Sequence, residues 1–379
     1  MPDDAAQRFR RDWATALGRE VAAGEVIAIA VSGGPDSMAL LALAASAWPG
    51  QVIAATVDHG LRAEAADEAA MVAGYCATLD QNSSLPTTPA KAGAQSGDDG
   101  NDAQHSPTAT FPTGPRLSPG WGSVGGKDLE AIPHTTLTPA TRLATTNLQA
   151  TARTARYALL TEWAAAQGAT ILATAHHADD QAETFLMRAA RGSGLAGLAG
   201  IRPCRPLSDT LTLLRPLLAW RGAELRALAE AAALPFVDDP SNTSERYDRT
   251  RFRALLNDTP LLNAAQLARA AGYLADADAD LRALEAWLLD TRLQPAEPGN
   301  MAIDVTGLPR EVRRRLARAA IGRVRLTQNI NAPFWSDAAN VEALLDALDA
   351  GSGATQAGVM ASAKDKIWHF RAAPPRRTG

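Results

Sequence analysis

Val26–Ser37 reads VIAIAVSGGPDS, and this stretch decides the fold. Six apolar residues ending in Ser-Gly-Gly suit a short strand buried on both faces of a parallel sheet. Ser37–Ala47 continues as a helix, so Ser32–Ser37 is a strand-to-helix turn. Such a turn presents backbone N–H groups and the positive end of a helix, which together attract an anion. Gly33 and Gly34 let the backbone approach a phosphate closely, and Ser32 and Ser37 add hydroxyl donors. Asp36 would repel a bare phosphate, but it makes sense if it holds Mg²⁺ against pyrophosphate oxygens. The bland alternative is a glycine-rich turn with a capping aspartate.

Outward from this turn, strands and helices alternate. Gln51–Val57 is a second apolar run. Glu64–Leu79 is a helix with Ala65, Ala69, Val72, Cys76 and Leu79 on its apolar stripe, and Ile132–Leu137 resumes a strand. Thr151–Gln167 is a helix stopped by Gly168, Thr170–Ala173 a strand, and Asp179–Arg191 a helix stopped by Gly192. The repetition predicts an α/β fold with a doubly wound parallel sheet and a ligand at the carboxyl ends of its strands. Beyond about Pro240 the strands stop. Arg249–Leu256, Asn263–Asp290 and Pro309–Arg325 are helical patterns, and Gly358–Ser362 with Lys366–Arg371 alternate like a hairpin. The expected domains are a catalytic domain over 1–258, a helical linker over 259–298 and a small α+β domain over 299–379.

At 379 residues with 46 % hydrophobic and 21 % charged residues, the chain has ordinary globular composition. Two cysteines, Cys76 and Cys204, exclude a disulfide scaffold, an iron–sulfur site and a four-cysteine zinc ribbon. A charged start without an apolar core is no secretory signal, and no apolar stretch is long enough to span a membrane, so a cytoplasmic protein is expected. The segment Gln81–Glu130 holds 8 Gly, 6 Pro, 6 Ser and 5 Thr among 50 residues, too little apolar surface to offset the entropy of ordering it. It reads as a disordered insertion.

Two glycine motifs fail on context. Gly192–Gly197 fits G-x-G-x-x-G but follows a helix rather than a strand, and Gly125-Gly126-Lys127 is followed by Asp128 where a phosphate-binding P-loop needs Ser or Thr. The informative second block is His176-His177-Ala178-Asp179-Asp180-Gln181-Ala182-Glu183-Thr184. The histidines end a strand, and Asp180 and Glu183 share a face of the next helix, aimed at the carboxyl edge of the sheet. Hard Mg²⁺ suits these carboxylates better than zinc does, though a His/Asp/Glu zinc site is the obvious alternative.

Ser32–Ser37 resembles the pyrophosphate loop of the N-type ATP pyrophosphatases (an adenine nucleotide alpha hydrolase-like fold). With Val57–Arg62, Ala152–Tyr157, His176–Thr184, Arg191–Ile201, Arg215–Leu218 and Asp239–Asn242 in order, the chain resembles the tRNA(Ile)-lysidine synthetases. The resemblance implies ATP and Mg²⁺ as cofactors, with free L-lysine and a tRNA(Ile) bearing a CAU anticodon as partners, and neither DNA nor a membrane. It implies that Ser32, Gly33, Gly34, Pro35, Asp36, Ser37, His59, Arg156 and His176 bind ATP. Asp36 would hold the metal, and Asp36, Asp180 and Glu183 would bind lysine and carry catalysis. One departure is Thr250, where the family shows Asn after the arginine. Thiolation of tRNA by the same adenylation step, and a catalytically dead binding module, are the competing readings.

For the polyanion, Arg191, Arg246, Arg249, Arg251 and Arg253 are candidates near the catalytic residues. Arg313, Arg314 and Arg315 belong to a stretch, Met301–Arg325, with seven Arg against Asp304 and Glu311, a local +5 in a chain of net charge −4. A solvated helix face is the alternative. Because the sheet domain offers little net charge, the helical and C-terminal regions are expected to supply most of the grip on tRNA. Deleting residues 83–127 should leave solubility and ATP affinity nearly unaltered; loss of soluble protein would show that the segment packs.

Overall fold

The computed structural model describes residues 3–60, 64–78, 131–139, 148–238, 248–259, 261–336 and 339–374. The insertion at 81–130, the Asp239–Asn242 block and Arg246 lie outside them. Two compact units result, Met1–Arg191 with Ile201–Arg269, and Gly192–Gly200 with Ala270–Gly379.

In the first unit five strands run parallel: β1 (Ile27–Ala30), β2 (Val52–Val57), β3 (His134–Leu137), β4 (Ile171–Ala173) and β6 (Thr212–Leu214). A sixth, β5 (Cys204–Pro206), lies antiparallel on β6, and the sheet order is β3-β2-β1-β4-β6-β5. The order reverses between β1 and β4, so the ligand crevice opens at their carboxyl ends. This is the doubly wound sheet expected from the sequence.

Side chains alternate across β1 and build both faces. Ile27 and Ile29 join Val52, Ile171 and Leu214 under helix α2 (Pro35–Ala47). Ala28 joins Ala55, Leu172 and Leu213 under α4 (Leu148–Ala166), which adds Leu160 and Trp163. Helix α2 is apolar on nearly every side because α1 (Asp3–Leu17) and α7 (Gly222–Ala231) pack on it as well. Phe9, Trp13 and Trp48 seal the α1 contact with ring centroids 4.7–5.8 Å apart. Helices α3 (Ala65–Thr78) and α5 (Ala178–Ala190) complete the catalytic edge, and α8 (Asp248–Asp258) packs on α5.

The sequence reading marks neither α1 nor the β5–β6 hairpin. Charged residues interrupt the apolar pattern of α1, and three-residue strands show no period.

In the second unit, β7 (Leu293–Gln294), β8 (Met301–Asp304), β9 (Gly353–Gln356), β10 (Val359–Lys364) and β11 (Ile367–Ala372) form an antiparallel sheet ordered β7-β8-β11-β10-β9. The hairpin expected at the tail is β10–β11, turned by Asp365 and Lys366 with φ of 49° and 66°. That left-handed pair matches the twist of the flanking strands. The expectation that strands otherwise stop after Pro240 is corrected: β7, β8 and β9 are too short to announce themselves. Helices α10 (Arg310–Thr327) and α11 (Glu342–Asp349) cover the sheet, with Leu316, Ile321, Leu345, Trp368 and Phe370 in the core. The short α6 (Leu195–Leu198) falls between β4 and β5 in sequence and α9 (Ala264–Arg292) between the two sheets, and the division of the units falls within α9. Among the described residues no helix is long and apolar enough to cross a membrane.

Glu25 ties the entry to β1, accepting from Arg19 Nη2 at 2.6 Å, Thr170 Oγ1 at 2.5 Å and the Ala22 N–H at 2.9 Å. The Arg19 hydrogen bond leads in holding its carboxyl down at about 2 against the cost of burial. Because the folded value is depressed, this stabilisation exists above about pH 4.5 and disappears as the pH falls towards 2. Glu25→Gln should lower stability by about 1 kcal/mol at pH 7, a modest figure because Arg19 is half exposed, and by nothing near pH 2. Thermal melts across that range check it.

Candidate active site

Ser32–Ser37 turns from β1 into α2 as expected. Gly33 has φ +82°, a left-handed backbone that favours glycine, and its carbonyl accepts from the Val237 N–H at 3.0 Å. Gly34 is the extended N-cap, Pro35 opens the helix, and Asp36 sits in its first turn. The Ser37 hydroxyl donates to the Gly34 carbonyl at 3.0 Å and accepts the Ser32 N–H at 3.1 Å, and the Ser32 hydroxyl lies 3.2 Å from it. The turn is therefore preorganised by its own side chains, with Ser32 exposed and Asp36 partly open.

Across the switch point, α5 begins at the His176–Asp180 block. His177 is the N-cap residue of the helix: Asp180 Oδ2 accepts the His177 N–H at 3.0 Å, and His177 Nδ1 lies 3.2 Å from the Asp179 nitrogen and 3.4 Å from Asp179 Oδ2. The other ring nitrogen, Nε2, lies 3.5 Å from Asp36 Oδ2 and 3.7 Å from Asp180 Oδ2. One imidazole thus joins the loop of β1 to the helix after β4. Burial would push it down, but hydrogen bonds to Asp179 and Asp36 and the charge of Asp180 push it up to about 10. Asp179 in turn accepts from Arg221 Nε at 2.9 Å and from the Gly222 N–H at 2.7 Å, which docks the start of α7. These bonds and His177 hold its carboxyl below the usual range despite burial.

Asp180 and Glu183 share one face of α5, as the spacing predicts, and α8 covers that face. Arg249 donates from Nε to Glu183 Oε2 and from Nη2 to Asp180 Oδ1, both at 2.6 Å, and Arg253 Nε donates to Glu183 Oε1 at 2.6 Å. Glu183 is fully buried beneath these guanidiniums. Burial opposes the charge of Asp180, yet His177, Arg249 and His176 hold it below the usual range. Two arginines put forward for tRNA thus neutralise the carboxylates put forward for lysine.

His176 donates to or accepts from Thr174 Oγ1 at 3.0 Å through Nδ1. Burial first, then the charges of Arg215, Arg153 and Arg249, press it down to about 3 against Asp180, so it is a neutral imidazole. His59 follows β2, 3.5 Å from Arg156 Nε; burial and then Arg156 press it down, and its Nδ1 is buried without a hydrogen-bond partner. Arg191 and Arg251 are exposed.

The α10 arginines turn inward on their own unit. Arg310 pairs with Glu342, Asp346 and Asp349, Arg313 with Asp349, Arg314 with Glu311 and Glu342, and Arg315 with Glu311 and the buried Asp278. Arg318 and Arg325 donate to backbone carbonyls, and Arg323 is exposed. The local +5 is largely spent holding α10 to α11 and α9.

Residues 6–98 and 130–259 match the model of the PP-loop domain family, leaving out 99–129 within the insertion. The tRNA(Ile)-lysidine synthase of Novosphingobium aromaticivorans is 38 % identical over 377 residues, 99 % of this chain and 95 % of that one. That of Zymomonas mobilis is 36 % identical, covering 93 % and 89 %, and that of Methylobacterium sp. 39 %, covering 86 % and 80 %. The chain belongs to the tRNA(Ile)-lysidine synthase family. Within this lysidine synthase scaffold the sequence reading finds both loops but misses His177, whose signal is the histidine doublet itself. It also leaves Arg215 out of the site, although the residue stands in a recognised block.

His177→Ala removes the cation shared by three carboxylates, and should cost about 2–3 kcal/mol near pH 6. A raised folded value means the stabilisation is complete below about pH 6.5 and lost as the pH rises through 10. The gap between wild-type and variant melting temperatures should therefore narrow from pH 6 to pH 10, while His177→Asn, whose side-chain oxygen can cap the helix, recovers about 1 kcal/mol relative to the alanine variant.

Proposed function

We propose that this chain joins free lysine to the wobble cytidine of the CAU anticodon of a tRNA(Ile), in the cytoplasm: ATP adenylates the cytidine carbonyl oxygen with loss of pyrophosphate, and the lysine amine then bonds to that carbon and displaces AMP. The observation that carries it is the placement of Asp36 beside His177, Asp180 and Glu183, in a chain of this family. The Ser32–Ser37 turn supplies amides, hydroxyls and the start of α2 for pyrophosphate, and these donors favour the charge that develops as it leaves. The buried, unpartnered Nδ1 of His59 fits a nucleotide at the end of β2. Asp36 is the carboxylate for Mg²⁺, a cation that commonly takes one or two protein carboxylates with phosphate oxygens and, when bound, neutralises the leaving pyrophosphate.

For the amine, Asp180 and Glu183 already hold guanidinium N–H groups, so they have the charge and acceptor geometry an ammonium needs. Lysine reaches them when Arg249 and Arg253 give way. Asp36 or Glu183 then takes the proton that the ammonium must lose before attack.

The thiolation reading needs a reactive thiolate. Cys76 is buried and its thiol is pushed up to about 12, and burial raises Cys204 as well, so neither favours sulfur transfer. The test is incubation with ATP, Mg²⁺, labelled lysine and a CAU-anticodon tRNA(Ile). Lysine label should enter the tRNA with release of AMP and pyrophosphate, and Asp36→Asn should slow pyrophosphate release on the order of a hundredfold or more. Label entering from a sulfur donor instead, or an Asp36→Asn variant at wild-type rate, overturns this assignment.

A further inference from the structure

With the arginines of α8 and α10 mostly engaged in ion pairs, the unneutralised positive charge lies elsewhere, on the sheet domain. Arg153 and Tyr157 stand one turn apart on α4, Arg205 is on β5, and Arg215 follows β6. The Arg153 and Arg205 guanidiniums lie 5.2 Å and 6.0 Å from the centroid of the Tyr157 ring. The charge of Arg215 is felt by Tyr157, and its Nη1 donates to the Arg202 carbonyl at 2.7 Å. It is only 6 % exposed, and its Nε is buried with no hydrogen-bond partner. Among the described residues no carboxylate pairs with Arg153, Arg205 or Arg215.

Three cations around one phenol, one of them buried with an unused donor, repel one another and call for an anion. Burial and the charges of Arg205 and Arg153 do lower Arg215, against the pull of Tyr157. The cluster borders the catalytic edge, because the charges of Arg215 and Arg153 reach His176.

We propose that Arg153, Arg205 and Arg215, gathered around Tyr157, form the surface that takes the phosphates of a single-stranded stretch of the RNA substrate beside the base to be modified. The inference rests on the reading above and reverses the expectation that the sheet domain lends little to RNA binding. Phosphodiester rather than nucleotide phosphate is the source because the pyrophosphate turn follows β1, two strands from β6, or about 10 Å at the usual strand spacing. Arg153 and Arg205 are exposed and can follow a backbone, while an aromatic ring among arginines is a recurrent platform for unpaired RNA.

The test is the affinity of the full chain for the CAU-anticodon tRNA(Ile), measured across a salt series, for wild type and the double variant Arg153→Ala/Arg205→Ala. Both side chains are exposed, so the fold should survive, and a thermal melt verifies it. Affinity should fall at least tenfold near 0.1 M salt. The slope of log affinity against log salt should flatten by about 1.5, two phosphate contacts at roughly 0.7–0.9 each. ATP affinity should not change. A wild-type slope in the variant overturns the proposal, and so does an ATP affinity that falls with the tRNA affinity, which would assign the cluster to the triphosphate. Because the readout is binding, a wild-type chain that grips this tRNA but transfers no lysine fails the functional reading alone. A variant with unchanged binding in an enzyme that does transfer lysine fails this inference alone.

Discussion

Asp36, Asp179, Asp180 and Glu183 converge at the carboxyl edge of the sheet, and their mutual repulsion is the constraint that the surrounding structure answers. His177 lies among the first three, Arg221 takes Asp179, Arg249 bridges Asp180 and Glu183, and Arg253 takes the remaining oxygen of Glu183. The partners come from three places, the cap of α5, the start of α7 and, for both Arg249 and Arg253, α8, so neutralising the carboxylates also docks α7 and α8 against α5. Unpaired, these charges would cost several kcal/mol at this depth. Paired, they fix the relative position of the loop after β1 and the helix after β4.

The carboxylate pair Asp180 and Glu183 is occupied by the guanidiniums of Arg249 and Arg253, which fill its acceptor oxygens. The helix that supplies them, α8, packs on α5 and follows the Asp239–Asn242 block.

Arginine serves two different purposes in this chain. On α10 it is structural: Arg310, Arg314 and Arg315 bind Glu342, Glu311 and Asp278, and α10 is held to its neighbours by these pairs. Around Tyr157 it is left without acid. With seven arginines, α10 carries more than twice the three gathered around Tyr157, yet it is the position of carboxylates in space that decides which are neutralised.

The sequence by itself determined the sheet, the turn after β1 and the helix face shared by Asp180 and Glu183. A six-residue apolar strand running into Ser-Gly-Gly can hardly be anything but buried and followed by a tight turn, and Asp180 and Glu183 share a face by helical periodicity alone. These are local properties, set within a few residues. Legible for the same reason were the tail hairpin and most helices. What only the tertiary structure decided depends on residues far apart in the chain: His177 meeting Asp36 across 141 positions, Arg249 reaching back 66 positions to Glu183, and Glu342 meeting Arg314 from the next helix. Whether an arginine is free or paired is set by which carboxylates lie within about 4 Å of it, and no spacing in the sequence carries that distance.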